Sequence, residues 1–289
     1  MILVTGATGH VGSELLIQLA ARGEKVRAMT RRPQTARFPS GVEVAGGDFD
    51  DAPSLDLALE GVEQVFLVTT QPAGSAGGPT HERLVVSAAR RAAVRRIVKL
   101  SVLGGARDRN AGDEADRDPI TRWHRAAEGA VMESGISWTM LRPGRFMSNA
   151  LQWASMIRQG GKVQVPFATR PAASIDPADI ASVALRALTE PGHDGKSYEL
   201  SGPAALTPEQ EIRILGGALD RPLELVALPR DAACAGMRRA GMPDDVIDAI
   251  LARAITDHGT EVLSTVQDVT GRPPRTFEQW VSAHVDAFR

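Results

Sequence analysis

This chain is poor in several things at once. It has one cysteine, Cys234, so it forms no internal disulfide and no cysteine-rich zinc site. That usage fits a reducing compartment. Basic and acidic residues nearly cancel, 33 against 35, which leaves no basic footprint for a nucleic acid. No apolar run is long enough to span a bilayer. The opening run has no charged segment before it and is cut by a glycine turn, so it reads as a strand rather than a signal peptide. Cytoplasmic location without a membrane partner is the expectation. His81, His193, His258 and His284 are scattered without metal-ligand spacing, so no metal site is expected. There is also no Gly-x-Ser-x-Gly elbow of a serine hydrolase.

Glycine is what the chain does have, and at the most informative place. Directly behind the apolar run Met1–Thr5 comes GATGHVG, with Gly6, Gly9 and Gly12 at G-x-x-G-x-x-G spacing. A helix-like stretch follows, and then a second strand-like run at Lys25–Thr30. In that context the turn presents backbone N–H groups and a helix N-terminus to a pyrophosphate. Gly6 permits the tight turn, Gly9 the close approach of phosphate, and Gly12 the close packing of helix on strand. The candidate contacts are Gly6, Thr8, Gly9, His10, Val11 and Gly12.

Strand and helix patterns alternate to about residue 142. Strand-like runs fall at Ile2–Thr5, Lys25–Thr30, Val42–Ala45, Gln64–Thr69, Ile97–Ser101 and Ser137–Leu141. Helix-like stretches fall at Val11–Arg22, Ser54–Glu60, Thr80–Ala93 and Thr121–Ser134. This predicts an α/β fold, a Rossmann-type doubly wound parallel sheet whose ligand lies at the carboxyl edge. After Pro143 the pattern changes to Met147–Gln159 helical, Lys162–Pro166 strand, Asp176–Leu188 helical, Ser197–Ser201 strand and further helices. The expected division is 1–142, a dinucleotide-binding domain, and 143–289, a smaller substrate lobe packed on it. Gln71–Pro79 and Ala106–Pro119 read as loops, either lids over the site or simply solvated. Strand two ends in Thr30–Arg31–Arg32, where an acidic residue would accept from the ribose 2′-OH of NAD. Two guanidinium groups suit a 2′-phosphate instead, so NADP(H) is expected over NAD(H).

Longer motifs extend the reading. MILVTGATGHVG, Thr30–Arg31–Arg32–Pro33, Gly47–Asp48–Phe49, the run Glu133–Pro143 followed by Phe146–Asn149, Asp176–Ala181 and Tyr198–Gly202 together resemble the NmrA-like family. These are atypical short-chain dehydrogenases/reductases, and the quinone oxidoreductase type is the nearest pattern. The resemblance covers nearly the whole chain. It implies an NAD(P) domain with a small substrate lobe. Some members reduce quinones or other carbonyls, and others only sense the cofactor and regulate partners. It also implies that Asp48 and Phe49 meet the adenine, although a turn aspartate is an alternative for Asp48. Thr69, Thr70 and Gln71 are expected on the ribose and nicotinamide side.

Typical short-chain reductases use a Tyr-x-x-x-Lys pair. This chain has one tyrosine, Tyr198, in a segment the family uses structurally. Aligned on Ala127–Glu128 and Ser134–Gly135, His124 stands at the lysine position and Ile120 at the tyrosine position. The catalytic candidates are therefore His124, as ribose ligand or proton donor, and Ser101, where the reductase serine sits. Both are also expected to touch the cofactor. Lys99 and Arg142 are expected to be structural. Phe146, Met147, Asn149 and Trp153 are expected either to line a site for a planar apolar substrate or to pack the lobe. The function expected is NADPH-dependent reduction of a quinone or related conjugated carbonyl. A non-catalytic NADP(H) sensor and a tailoring reductase of a secondary-metabolite pathway are the alternatives. The C-terminal helices suit either a homodimer surface or core packing.

Overall fold

The computed structural model describes residues 1–69, 79–104, 119–166, 168–255 and 259–289. Seven parallel strands form the main sheet: β1 (Ile2–Val4), β2 (Val26–Thr30), β3 (Glu43–Gly46), β4 (Gln64–Leu67), β5 (Arg96–Leu100), β6 (Ser137–Pro143) and β8 (Lys196–Leu200). Their order is β3-β2-β1-β4-β5-β6-β8. A second, two-stranded parallel sheet pairs β7 (Lys162–Pro166) with β9 (Glu224–Leu228).

Alternation along each central strand sends its side chains into two separate cores. Ile2, Val4, Phe66, Val98 and Leu141 face one layer, where they meet α1 (His10–Ala21) and α6 (Pro177–Thr189). Leu3, Met29, Leu67, Ile97 and Met140 face the other, where they meet α2 (Ala52–Leu59), α3 (Thr80–Arg91) and α4 (Pro119–Met132). Helices on both faces make the sheet doubly wound, as the β–α alternation predicts. α6 starts where the Asp-Pro pair predicts: Asp176 caps it by accepting from the Ala178 N–H at 2.9 Å.

The expected division at residue 142 did not anticipate the path of the chain after the small lobe begins. α6 and β8 return to the large sheet, where β8 pairs with β6 in register Leu141↔Tyr198. What remains apart is a third core, built by the turn Met147–Trp153, α5 (Ala154–Gly160), β7, α7 (Pro208–Ala218), β9 and α11 (Phe277–His284). Two further helices, α8 (Arg230–Arg239) and α9 (Asp244–Ile255), follow β9, and α10 (Thr265–Thr270) precedes α11. The stretch expected as one helix over 147–159 opens as a 3₁₀ turn. Three residues per turn line up Met147, Ala150 and Trp153, all buried, on one face of that core.

The C-terminal segment is tied to α6 by an acidic pair. The Arg275 N–H donates to Asp179 Oδ2 at 2.7 Å, and the Arg275 guanidinium stands 3.3 Å from Asp176 Oδ2. Burial pushes the Asp179 carboxyl up to about 6; the Arg275 N–H opposes that shift, Asp176 adds to it, and Arg275 and Arg272 oppose it. A raised carboxyl pKa means that the folded state takes up a proton sooner than the unfolded chain. The stability this contributes is present in acid and is lost as pH rises through about 6. Asp179→Asn should therefore raise stability by roughly 2–3 kcal/mol near pH 8 and hardly at all near pH 3. Thermal melts at the two pH values check this; an equal gain at both would refute it.

Candidate active site

The glycine turn is built by backbone geometry that side chains cannot imitate. Gly6 sits at φ +59°, and its N-terminal neighbour Thr5 is locked by its hydroxyl to the Phe66 and Val68 carbonyl oxygens at 3.1 Å each. The Gly9 N–H donates to Gly6 O at 2.9 Å. A Cβ on Gly12 would collide with the Gly6 carbonyl, so only glycine lets α1 start this close to β1. Gly9 stands at the N-cap of α1 and no side chain caps that end. The first-turn N–H groups and the positive end of the helix dipole are thus presented to an incoming anion.

The end of β2 carries the next expected group. Arg31 and Arg32 are exposed, and neither guanidinium has a side-chain or carbonyl partner among the described residues. The Arg32 N–H donates to Thr30 Oγ1 at 3.2 Å, which fixes the turn that carries both. After β3, Asp48 makes a turn of its own: Oδ1 accepts from the Asp50 N–H at 3.1 Å, while the Asp48 N–H donates to Ser54 Oγ at 2.9 Å. Phe49 is half-buried against the His81 ring, centroids 5.3 Å apart, and His81 Nε2 lies 3.0 Å from Asp50 Oδ1. His81 at this corner was not foreseen.

Thr69 is held from the sheet side: its hydroxyl donates to Glu82 Oε1 and accepts from Lys99 Nζ at 3.1 Å. Lys99 and Glu82 are both fully buried and paired at 3.0 Å. Burial draws the Lys99 ammonium below the ordinary lysine range, against the pull of Glu82. Lys99 also lies 5.7 Å from the centroid of the Trp123 ring. Glu82 was missed in the sequence although a signal existed. It occupies the buried stripe 82, 85, 86, 89 of α3, and Lys99 interrupts the apolar run Ile97, Val98 and Leu100 of β5. Thr70 and Gln71 lie outside the described residues, as do the two expected loops apart from Pro79 and Pro119.

Ser101 follows β5, its N–H donating to Leu141 O at 2.7 Å. Its Oγ is buried and has no hydrogen-bond partner among the described residues. His124 lies on α4, half-buried, its ring edge-on to Trp123 at 4.6 Å. Arg142 is structural as expected: it grips Glu128 through two bonds of 2.9 and 2.6 Å. Tyr198 is held by His193 Nδ1 at 2.8 Å, five residues earlier in the chain. Of the four expected substrate residues, Met147 and Trp153 are interior to the small-lobe core, with the Arg145 guanidinium 5.8 Å from the Trp153 ring centroid. Asn149 is exposed, and Phe146 is half-buried against the sheet core. Core packing is thus the part that Met147 and Trp153 demonstrably play.

An uncapped helix N-terminus behind a glycine cradle, with two arginines and a buried hydroxyl that are unpartnered among the described residues along the same sheet edge, fits a dinucleotide. Residues 6–191 match the family model described as NAD(P)H-binding. The chain belongs to the NAD(P)H-binding family. It is 45% identical over 294 residues to the (4-alkanoyl-5-oxo-2,5-dihydrofuran-3-yl)methyl phosphate reductase of Streptomyces griseus, covering 100% of this chain and 99% of that protein. It is 36% identical over 293 residues to the NAD(P)H azoreductase of Xenophilus azovorans, covering 100% and 99%. An NADPH-dependent quinone oxidoreductase from Escherichia coli, solved in complex with NADPH, superposes with a TM-score of 0.77 at 28% identity, covering 98% of this chain and 99% of that one. These relatives agree with the NmrA-like resemblance. This member of the NAD(P)H-binding family is an NAD(P)H-dependent oxidoreductase. Among the described residues no helix is long and apolar enough to cross a membrane, and no cluster of His, Cys, Asp or Glu is placed to hold a metal.

Proposed function

We propose that the chain reduces a conjugated carbonyl, a quinone or an unsaturated lactone, with NADPH in preference to NADH and without a Tyr–Lys pair. The observation that carries the cofactor choice is the pair of exposed, unpartnered guanidinium groups of Arg31 and Arg32 at the end of β2. The S. griseus relative is named for an unsaturated ring lactone, the E. coli relative for a quinone, and the X. azovorans relative for azo reduction. Each name describes a conjugated acceptor, which supports that substrate class here.

Bound NADPH supplies the hydride. The residues of this chain have three tasks around it. The α1 N-terminus and the two arginines hold its phosphates. Ser101 Oγ, buried and without a partner among the described residues, would donate to the carbonyl oxygen of the acceptor. His124 would return a proton from its imidazole to the reduced oxygen of a quinone, or to the enolate that hydride addition at the β-carbon leaves on an unsaturated lactone. A conjugated acceptor spreads the negative charge it gains, so positioning carries more of the acceleration and a strong acid is not needed.

The test is NADPH oxidation followed by absorbance, with NADH in parallel, against benzoquinones, naphthoquinones, enones and a phosphorylated unsaturated lactone. NADPH-selective consumption with a member of this panel is the expected result. A sample that binds NADPH and consumes none across the panel would remove the reading. His124→Ala should lower kcat by roughly 100-fold, leaving the Kd for NADPH within about twofold. A loss of affinity alone would make His124 a ribose ligand instead.

A further inference from the structure

Two glycine backbones approach the segment that follows Ser101, and no sequence motif places them there. Two residues past Ser101, the Leu103 N–H donates to Pro143 O at 2.9 Å, which carries the Leu103 side chain across the end of β6. Leu103 is only half-buried. From the far end of the chain, Gly259 arrives opposite it. The Gly259 carbonyl accepts from the Ala173 N–H at 2.7 Å, and a Cβ built on Gly259 would stand 3.9 Å from Leu103 Cδ2 and meet no other atom of the described residues within 4 Å. Gly259 lies at φ +96°, a conformation that disfavours a side chain. On the other flank, a Cβ on Gly144 would stand 3.7 Å from the same Leu103 methyl. Leu103 therefore stands between two glycine backbones at the carboxyl edge. The Gly259 segment is anchored on both sides: α9, with Ile247 and Leu251 buried, packs against α4, and the Leu263 N–H donates to Ser201 Oγ at 2.8 Å.

We infer that Leu103, backed by the Gly144 and Gly259 backbones, is the end wall of the acceptor site and sets how long a planar acceptor can be. The inference rests on the proposed reductase reading for the identity of the acceptor. Its geometry is independent of that reading. Ser101 and Leu103 are two residues apart on one segment, so an acceptor whose oxygen meets Ser101 extends toward the Leu103 methyl groups. Met147 and Trp153 are engaged in the lobe core, so the sizing proposed here does not depend on them. An apolar wall discriminates by size at about ten- to a hundredfold for each methylene-sized difference between acceptors.

The experiment compares wild type with Leu103→Ala and Leu103→Trp, using benzoquinone, naphthoquinone and anthraquinone sulfonates. Acceptor Kd values are measured calorimetrically on the NADP⁺-loaded enzyme, which cannot transfer hydride, and kcat/KM values with NADPH. Leu103→Ala should shift the preference toward the three-ring acceptor by roughly tenfold in both readouts. Leu103→Trp should shift it the other way. The Kd for NADP⁺ should stay within about twofold in both variants. If Leu103→Trp does not fold, Leu103→Ala alone decides. Turnover without a size shift would overturn the end wall and keep the reductase. A size shift in binding without turnover would keep the wall and remove the reductase. Absence of acceptor binding to the loaded wild-type enzyme would overturn the wall outright.

Discussion

Lys99→Met should destabilise the fold by about 3–5 kcal/mol, the usual cost of stripping one partner from a buried ion pair. Lys99 and Glu82 are both wholly shielded from water and stand 3.0 Å apart. The substitution keeps most of the volume and removes the ammonium. Glu82 Oε1 then retains only the Thr69 hydroxyl, and Glu82 Oε2 already lacks a partner. A carboxylate left this way bears its full desolvation penalty. Replacing both members by apolar residues should recover much of the loss, because nothing charged is then left buried. Urea unfolding of the two single variants and the double variant, combined as a double-mutant cycle, measures the coupling. A Lys99→Met loss below about 1 kcal/mol would show that the two groups are not a charged pair. Activity should fall as well, since Lys99 supports the Trp123 ring that flanks His124.

Replacing Arg31 and Arg32 together by alanine should weaken NADPH binding by roughly 100-fold and leave NADH binding within about threefold. Two charge-assisted hydrogen bonds to a phosphate are each worth about 1.5–3 kcal/mol. Solvent exposure of both side chains takes the total to the lower end of that range. Neither arginine contacts another described side chain, so stability should hardly change. Fluorescence titration with the two reduced cofactors reads both affinities, and raising the salt should narrow the gap between them. Equal losses for both cofactors would mean that the arginines act on a phosphate common to NADPH and NADH. That outcome would discard the 2′-phosphate pocket.

How much was legible in the sequence follows from how local each feature is. The glycine turn depends on neighbours within a few residues and on one strand ahead of it, so spacing alone located it. The Asp176 cap and the Thr207 capping box are likewise local. The first six parallel strands announce themselves as short apolar runs between helices. β8 is legible as a strand but not as a member of that sheet, because it lies at the edge and its residues are mostly exposed or half-buried. Nothing in its pattern tells whether it joins the large sheet or the small lobe.

The site divides in the same way. Arg31, Arg32 and Ser101 sit at strand ends, the carboxyl edge at which parallel sheets of this kind bind ligands. Thr69 is also at a strand end, yet a buried Glu82–Lys99 pair from two other elements claims its hydroxyl. By composition Met147 and Trp153 suit a substrate wall or lobe packing alike; a 3₁₀ turn, with its three-residue repeat, lines them up with the lobe core.

The βα alternation, the dinucleotide cradle, the arginines at the end of β2 and the lack of a second tyrosine are all fixed by the order of residues along the chain. They are matters of composition, spacing and hydrogen bonds between near neighbours. Folding in three dimensions was needed to settle that β8 completes the large sheet, that Lys99 is neutralised by Glu82, and that Gly259 meets Leu103 over the carboxyl edge. Each of those joins residues far apart in the chain, and such meetings are set by which faces must be buried together.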